Sequence, residues 1–307
     1  MLDAQFKAML DAARQFAAPS MDTVPVDVAR GFYRGFRGDG QVVFEGVVRD
    51  LTVTGAAGPI GARLYRPKAA PDVGPGLVFY HGGGFVLGDL ETHDGLCRRL
   101  SQDSGVPILA VDYRLAPETP FPGAHDDALA AAHWAFEHAG EIGFDPARIA
   151  LGGDSAGGNL AASTAIALRD EGRWRPAFQL LLYPVVQFSG ETESMKTLSE
   201  GYFLTRQGMD WFAKCLFGAG DRADPRASVL LTSSLAGLAP ALVITAGFDP
   251  LKDEGRAYAE RLRAAGVEAQ HREYAGFIHG FFNMAGVSAA VPPVFVQTAQ
   301  ALKAALK

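Results

Sequence analysis

IALGGDSAGG, residues 149–158, is the stretch that decides how this chain folds. Its first three residues form a short apolar run, which is typical of a strand buried on both faces. GDSAG at residues 153–157 then matches the pattern G-x-S-x-G, in which a serine occupies a sharp turn between a strand and a helix. Side chains in place of Gly153 or Gly157 would collide with the neighbouring strand or helix. We therefore predict that Ser155 projects from such a turn. The alternative is an ordinary glycine-rich turn in which Ser155 only caps the helix.

The same rhythm of strand, loop and helix extends on both sides of this turn. Apolar runs without polar alternation recur at residues 77–80, 107–111, 149–151, 178–183 and 241–245, with helical stretches such as 126–138 and 156–169 between them. This alternation predicts an α/β fold with a mostly parallel sheet and helices on both faces. Right-handed crossovers would place the carboxyl ends of the strands along one edge, where ligands bind in such folds. Residues 41–65 alternate instead, which predicts a pair of antiparallel strands.

Two segments fall outside the rhythm. The start of the chain has the pattern of an amphipathic helix, with one apolar face made of Leu2, Phe6, Met9, Leu10, Ala13 and Phe16, and a second helix is expected around residues 26–36. The stretch after residue 186 shows no clear strand and is too long for an ordinary connection. We predict four segments: N-terminal cap helices at 1–40, the first part of the core at 41–187, a mostly helical cap insertion at 188–238, and the second part of the core at 239–307. The alternative for the insertion is a peripheral helix pair with no role at the site.

Composition excludes several classes of protein. The net charge is −6 over 307 residues and no run of Lys or Arg stands out, which argues against a nucleic-acid partner. Four charged residues interrupt the first sixteen, unlike a signal peptide, and no stretch approaches the roughly 18 apolar residues of a membrane span. Cys97 and Cys215 are interpreted as reduced thiols. We expect a cytoplasmic protein. No histidine or cysteine pair has the spacing of metal ligands, so neither a metal nor an organic cofactor is expected.

A glycine-rich loop follows the first parallel strand. Residues 79–85 read FYHGGGF, and three consecutive glycines let the backbone turn its N–H groups outward. Such donors stabilise the oxyanion that forms during acyl transfer, and a loop of this type accompanies G-x-S-x-G in esterases and lipases. We assign the oxyanion donors to Gly83, Gly84 and Ala156, the residue after the serine. His81 is interpreted as a residue that shapes the loop.

The general base is chosen from seven histidines. In this arrangement the acid and then the histidine follow the serine along the chain, which leaves His271 and His279. His271 lies in a segment that alternates like a strand, whereas His279 lies in GFIHGF, a loop flanked by glycines. We predict that His279 takes the proton from Ser155 and returns it to the leaving group.

The acid should follow the preceding strand. Asp249 comes directly after the apolar run at 241–245, at the predicted active edge. Asp253 is the competitor, but it lies about one turn into the next helix, where acidic residues commonly complement the helix dipole. We predict that Asp249 orients His279.

These motifs together resemble the hormone-sensitive-lipase-like esterases, a branch of the α/β-hydrolases. HGGGF at His81, DYRLAPE at Asp112, GDSAGGN at Gly153, DPLKDEG at Asp249 and HGF at His279 occur in the family's order. The resemblance implies an eight-stranded, mostly parallel sheet with a helical cap, the insertion following the sixth strand. It also implies a serine carboxylesterase that hydrolyses small-molecule esters with short to medium acyl chains through an acyl-enzyme.

Two other functions remain open at this point. An amidase or formamidase could use the same three residues, although a kynurenine formamidase would resemble HGGXW rather than HGGGF. A non-catalytic small-molecule receptor, like the plant gibberellin receptors that resemble this family, would have lost the histidine that is present here as His279.

The substrate pocket and the oligomeric state are further expectations. Four aromatic residues are expected to line the pocket, with ordinary core packing as the alternative for each of them: Phe85, Phe203, Trp211 and Phe212. An exposed edge strand would allow a homodimer.

Overall fold

Residues 1–15, 21–36, 40 and 42–307 are described by the structure, a computed structural model. The strands are β1 (Gly46–Gly55), β2 (Gly58–Pro67), β3 (Gly74–Tyr80), β4 (Ile108–Asp112), β5 (Phe144–Asp154), β6 (Phe178–Leu182), β7 (Ala241–Phe248) and β8 (Ala269–Ile278). They form one eight-stranded sheet in the order β1-β2-β4-β3-β5-β6-β7-β8. β1 and β2 form the predicted antiparallel pair, and β2 is also antiparallel to β4. All later neighbours are parallel, so the predicted α/β sheet is confirmed.

Helices connect the strands and cover both faces of the sheet. Their bounds are α1 (Ala4–Gln15), α2 (Val26–Gly35), α3 (Asp94–Ser104), α4 (Gly123–Glu137), α5 (Ala156–Glu171), α6 (Glu193–Leu198), α7 (Arg206–Phe217), α8 (Lys252–Ala264) and α9 (Val291–Ala305). One hydrophobic core holds residues of α4, α5 and α8, and a second holds residues of α3 and α9. In β3, Val78 and Tyr80 belong to the first core, and Leu77 and Phe79 to the second. Because successive side chains of a strand point to opposite faces, this strand reads as an uninterrupted apolar run.

The N-terminal helix is amphipathic, as predicted. Phe6 and Leu10 of α1 are buried, whereas Ala13 is exposed. Phe16, which was assigned to the same face, lies outside the described residues. The Phe6 ring packs edge-on against Phe277 at 5.6 Å, so this helix is anchored beside the end of β8. No helix in the described ranges is long and apolar enough to cross a bilayer.

The connection between β6 and β7 contains less helix than the sequence suggested. Its helices are α6, with six residues, and α7, with twelve, together with a short 3-10 turn at Val229–Leu231. The expectation of a mostly helical insertion is therefore wrong. Glycines explain the difference, because Gly190, Gly201 and Gly218 have positive φ angles of 91°, 84° and 54°, which a right-handed helix cannot accommodate.

Candidate active site

Ser155 occupies a sharp turn between a strand and a helix. β5 ends at Asp154 and α5 begins at Ala156, and Ser155 between them has φ 54° and ψ −115°. A positive φ at a residue with a Cβ is strained and needs a surrounding structure that enforces it. The neighbouring glycines allow this turn, because a Cβ added at Gly153 or at Gly157 would run into the carbonyl oxygen of Tyr80 on the adjacent strand.

Three side chains meet at the carboxyl edge of the sheet. Ser155 Oγ lies 2.9 Å from His279 Nε2, and His279 Nδ1 lies 2.7 Å from Asp249 Oδ2. Asp249 follows β7, and its other carboxylate oxygen accepts the N–H of Leu251 at 2.9 Å. Both His279 and Asp249 are buried. With the ring proton on Nδ1 facing the carboxylate, Nε2 is free to accept the hydroxyl proton of Ser155.

The competing residues lie elsewhere. His271 is in β8, and its Nε2 pairs with the hydroxyl of Thr245 at 2.8 Å. Asp253 accepts the N–H of Ser194 at 2.8 Å and pairs with Arg256 at 3.0 Å. Neither side chain joins the group at Ser155.

The glycine-rich loop after β3 runs beside Ser155. Gly83 and Gly84 have φ angles of 119° and 63°, and both line the cavity that contains Ser155. No hydrogen bond within the described part of the chain is donated by the N–H of Gly83, Gly84 or Ala156. These three backbone donors are therefore available at the site, where the positive end of α5 also favours negative charge.

His81 shapes this loop from a buried position. Its Nδ1 lies 2.8 Å from the carbonyl of Gly82, and its ring stacks on Tyr113 with centroids 4.3 Å apart. The Tyr113 hydroxyl donates to the His81 carbonyl at 2.7 Å. Burial, aided by the neighbouring His93, lowers the pKa of His81 to about 4. The ring is thus neutral near pH 7.

Asp154 is a buried acid at this site that the sequence reasoning missed. Its Oδ1 accepts the N–H of Gly82 at 2.8 Å and lies 3.3 Å from His93 Nε2. Its Oδ2 lies 3.5 Å from the amide nitrogen of Asn283, in the turn after His279. One carboxyl thus ties together the serine turn, the glycine loop and the histidine loop. The only sequence signal was a charged residue inside an otherwise small and apolar motif.

A cavity of about 450 Å³ opens on Ser155 and His279. Phe85, Phe203, Trp211 and Phe212 all line it. A Cβ at Gly84 would collide with the Phe212 ring, so α7 covers the glycine loop directly. Phe203 is 42% exposed, and its ring centroid lies 6.2 Å from that of Phe36.

Comparisons with known proteins agree with this architecture. A family model described as the alpha/beta hydrolase fold matches residues 77–283. The carboxylic ester hydrolase LipN of Mycobacterium tuberculosis is 50% identical over 244 residues, which are 77% of this chain and 65% of LipN. The esterase LipI of the same organism is 42% identical over 244 residues, covering 78% of this chain and 76% of LipI.

A solved structure extends the match to nearly the whole chain. An ester hydrolase from the metagenome of Lake Arreo superimposes with a TM-score of 0.95 at 42% identity, covering 99% of each chain. Sequence motifs, sheet order and relatives therefore agree: the chain belongs to the hormone-sensitive-lipase-like esterases of the α/β-hydrolase fold.

Proposed function

We propose that this chain is a serine carboxylesterase in which Ser155 is the nucleophile, His279 the general base and Asp249 the residue that orients it. The observation that carries the proposal is the continuous line of hydrogen bonds through these residues, 2.9 Å from serine to histidine and 2.7 Å from histidine to aspartate. Relatives named a carboxylic ester hydrolase and a carboxylesterase support the choice of substrate class.

The first half-reaction forms the acyl-enzyme. Ser155 Oγ attacks the ester carbonyl while His279 Nε2 takes its proton, and Asp249 stabilises the resulting imidazolium. The carbonyl oxygen becomes an oxyanion that accepts hydrogen bonds from the N–H groups of Gly83, Gly84 and Ala156. Collapse of this intermediate breaks the bond to the alcohol oxygen, which takes the proton from His279 and leaves.

The second half-reaction restores the enzyme. A water molecule attacks the acyl carbon and gives a proton to His279 Nε2, through a second oxyanion in the same hole. The bond to Ser155 Oγ then breaks, Oγ takes the proton from His279, and the carboxylic acid is released. The protein thus supplies one base that takes and returns a proton twice.

A cavity of limited size supports short to medium acyl chains. Its volume is about 450 Å³, within the range of small-molecule sites, and the aromatic residues of its lining favour an apolar chain. We propose that Phe85, Phe203, Trp211 and Phe212 contact the substrate.

We also propose that segments 1–40 and 188–238 together form a cap over the core segments 41–187 and 239–307. Two hydrogen bonds that join the first segment to the insertion support this. Arg14 donates to the carbonyl of Gly201 at 2.9 Å, and the amide of Gln207 donates to Asp22 at 2.7 Å.

A panel of p-nitrophenyl esters of graded acyl length, with a matched p-nitroanilide, tests the proposed reaction. We expect the ester of an acyl chain of about four to eight carbons to give the highest kcat/KM, because such a chain buries apolar surface against the aromatic lining beside Ser155, whereas further carbons add less as the chain extends towards solvent. Ser155→Ala should lower kcat by about 10⁴-fold or more, while its unfolding temperature stays within a few degrees of the parent's. Anilide turnover above that of the esters would assign the chain to the amidases. A folded Ser155→Ala protein that keeps its activity would remove Ser155 from the reaction.

Location and assembly are proposed on separate grounds. We propose a cytoplasmic protein, because both cysteines are free, as in a reducing compartment. We propose a homodimer through an edge strand, since β1 and β8 end the sheet and each has one strand neighbour. Cell fractionation tests the first and sedimentation velocity the second.

A further inference from the structure

Glu254 is a fully buried acid for which the proposed reaction has no use. It lies in the first turn of α8, five residues after Asp249, and its exposed fraction is 0%. Its Oε1 accepts the N–H of Val186 at 2.7 Å. Its Oε2 has no hydrogen-bond partner among the described residues. No ion pair in the described part of the chain involves it, so no positive charge offsets its burial.

The segment that Glu254 holds is a wall of the active-site cavity. Val185, Gln187 and Phe188 line the same cavity as Ser155. We call residues 185–188 the wall turn. The N–H of Val185 donates to the carbonyl of Ser155 at 3.3 Å, so the wall turn touches the serine directly.

Side chains from α5 and α8 form hydrogen bonds with the backbone of the wall turn. The amide of Asn159, in α5, donates to the carbonyl of Val185 at 2.9 Å, and Glu254 accepts the next N–H along the chain. Without Glu254, the buried N–H of Val186 would have no acceptor, which is a costly state. Two more bonds hold the wall turn, since the Phe188 N–H donates to Ser228 Oγ and the Leu230 N–H donates to the Val186 carbonyl, both at 2.9 Å. Glu254 is therefore one of several anchors of the wall beside Ser155, and the only one of them that is an acid.

The surroundings favour the neutral form of this carboxyl. Burying a carboxylate without a cation is expensive, and the charged neighbour that acts on Glu254 is another acid, Asp249. Burial and Asp249 together raise the pKa of Glu254 to about 8, against the opposing effect of the Val186 and Gln187 N–H groups. Tyr258, four residues later in α8, stays neutral because burial raises its pKa as well.

We propose that Glu254 is a positioning residue of the hydrolytic site, which holds the wall turn 185–188 in place beside Ser155 by accepting the Val186 N–H. This inference rests on the proposed ester hydrolysis. Ionisation of Glu254 in alkaline solution would place a second negative charge near Asp249 in a buried site, and the cost of keeping that charge away from water favours loosening of the packing around the wall turn. Substrate binding should then weaken at high pH for a reason unrelated to His279.

Glu254→Gln is the informative variant, because the amide is always neutral and its oxygen can still accept the Val186 N–H. On p-nitrophenyl hexanoate between pH 6 and 10, we expect the parent to lose about threefold or more of kcat/KM above pH 8, mainly through KM. Glu254→Gln should show no such fall above pH 8. Glu254→Ala should lose about ten- to a hundredfold of kcat/KM at every pH, from the orphaned N–H.

Asp253→Asn is the matched control, since Asp253 is an acid of the same helical turn that contacts Ser194 instead of the wall turn. It should follow the pH profile of the parent. An alkaline fall that persists in Glu254→Gln, or a folded Glu254→Ala protein with parental KM, would overturn the proposal. If Glu254→Ala does not fold, the comparison of the parent with Glu254→Gln decides alone. Each of these comparisons requires that the parent protein hydrolyses the ester. If the ester-hydrolase proposal is wrong, the parent will be inactive, and this result is distinct from any result that overturns the role of Glu254.

Discussion

Each oxygen of Asp249 has its own partner, and this division fixes the state of His279. Oδ1 accepts the Leu251 N–H, which anchors the carboxylate to the start of α8. Oδ2 is left to face His279 Nδ1 at 2.7 Å. A carboxylate can only accept hydrogen bonds, so the imidazole must keep its proton on Nδ1 and present a bare Nε2 to Ser155.

Replacing Asp249 by Asn should therefore damage catalysis far more than folding. An amide in the same place can donate a hydrogen bond to His279 Nδ1, which favours the tautomer that carries its proton on Nε2. In that tautomer Nε2 cannot accept the proton of Ser155. We expect kcat to fall by about 10³–10⁴-fold, with KM within a few-fold of the parent. Steady-state kinetics on a p-nitrophenyl ester measure both values. An Asp249→Asn protein with more than a tenth of the parental kcat would argue that another acid orients His279.

At the scale of elements, the turn from β5 to α5 depends on the close approach of two backbones. Gly157 lies so near Tyr80 that an added Cβ would overlap its carbonyl oxygen. Backbone atoms of a central strand cannot move aside cheaply, so the strand and the helix would have to separate.

Gly157→Ala and Gly31→Ala form a matched pair, since the chemical change is the same at two different places. At Gly157 we expect a loss of about 1–3 kcal/mol in the free energy of unfolding, together with reduced activity, because Ser155 moves with the turn. At Gly31, inside α2, an added Cβ meets nothing within 4 Å, and alanine should stabilise the protein by about 0.5–1 kcal/mol. Urea unfolding of both variants checks the two signs. Equal effects at the two sites would contradict the steric argument.

The sequence predicts the elements of this site well because its signals are local. Ser155, Asp249 and His279 each follow a strand in the order expected for the fold, and the structure brings their side chains within hydrogen-bonding distance. The glycines that the turns require can likewise be identified directly in the sequence. Ser155 and His279 are 124 residues apart in the chain, and only the shared edge of a parallel sheet makes their meeting predictable.

Residues that act through distant partners could not be found in this way. Glu254 meets Val186 across 68 positions, and Asp154 meets Gly82 across 72. No periodicity or motif spacing predicts such a pairing, because it depends on the conformation of the loops that leave the edge of the sheet. The prediction of a mostly helical connection between β6 and β7 was wrong for a simpler reason: Gly190, Gly201 and Gly218 have positive φ angles that interrupt its helices.

At the scale of the whole molecule, three buried titratable groups tie folding to pH. Burial lowers the pKa of His81 and of His125 from 6.5 to about 4, and raises that of Glu254 from 4.5 to about 8. The histidines stabilise the fold fully above pH 6.5, and that contribution is lost as the pH falls towards 4, because the unfolded chain binds their protons first. Glu254 works in the opposite direction: its contribution is complete below pH 4.5 and is lost as the pH rises towards 8.

The sum of these contributions predicts a stability maximum near pH 6.5. Between pH 4.5 and 6.5 two histidines outweigh one glutamic acid, so stability rises with pH by up to about 1.4 kcal/mol per unit, the equivalent of one proton. Above pH 6.5 Glu254 is the one of these three groups that remains in transition, and its contribution to stability falls at a similar rate until about pH 8. Thermal unfolding at half-unit steps from pH 4 to 9 should trace this shape.

Two variants test separately the rise of stability below pH 6.5 and its fall above pH 6.5. His125→Gln removes one histidine while an amide can still pair with Asn159, which His125 contacts at 2.9 Å. Of the three groups, one histidine then offsets Glu254, so the rise of the unfolding temperature between pH 4.5 and 6.5 should become much shallower than in the parent. Glu254→Gln should instead abolish the decline above pH 6.5 and leave the acid limb steeper, since both histidines then act unopposed. A parent curve that is flat from pH 5 to 8, or variants that shift the whole curve without changing either slope, would mean that these three groups titrate alike in the folded and unfolded chains.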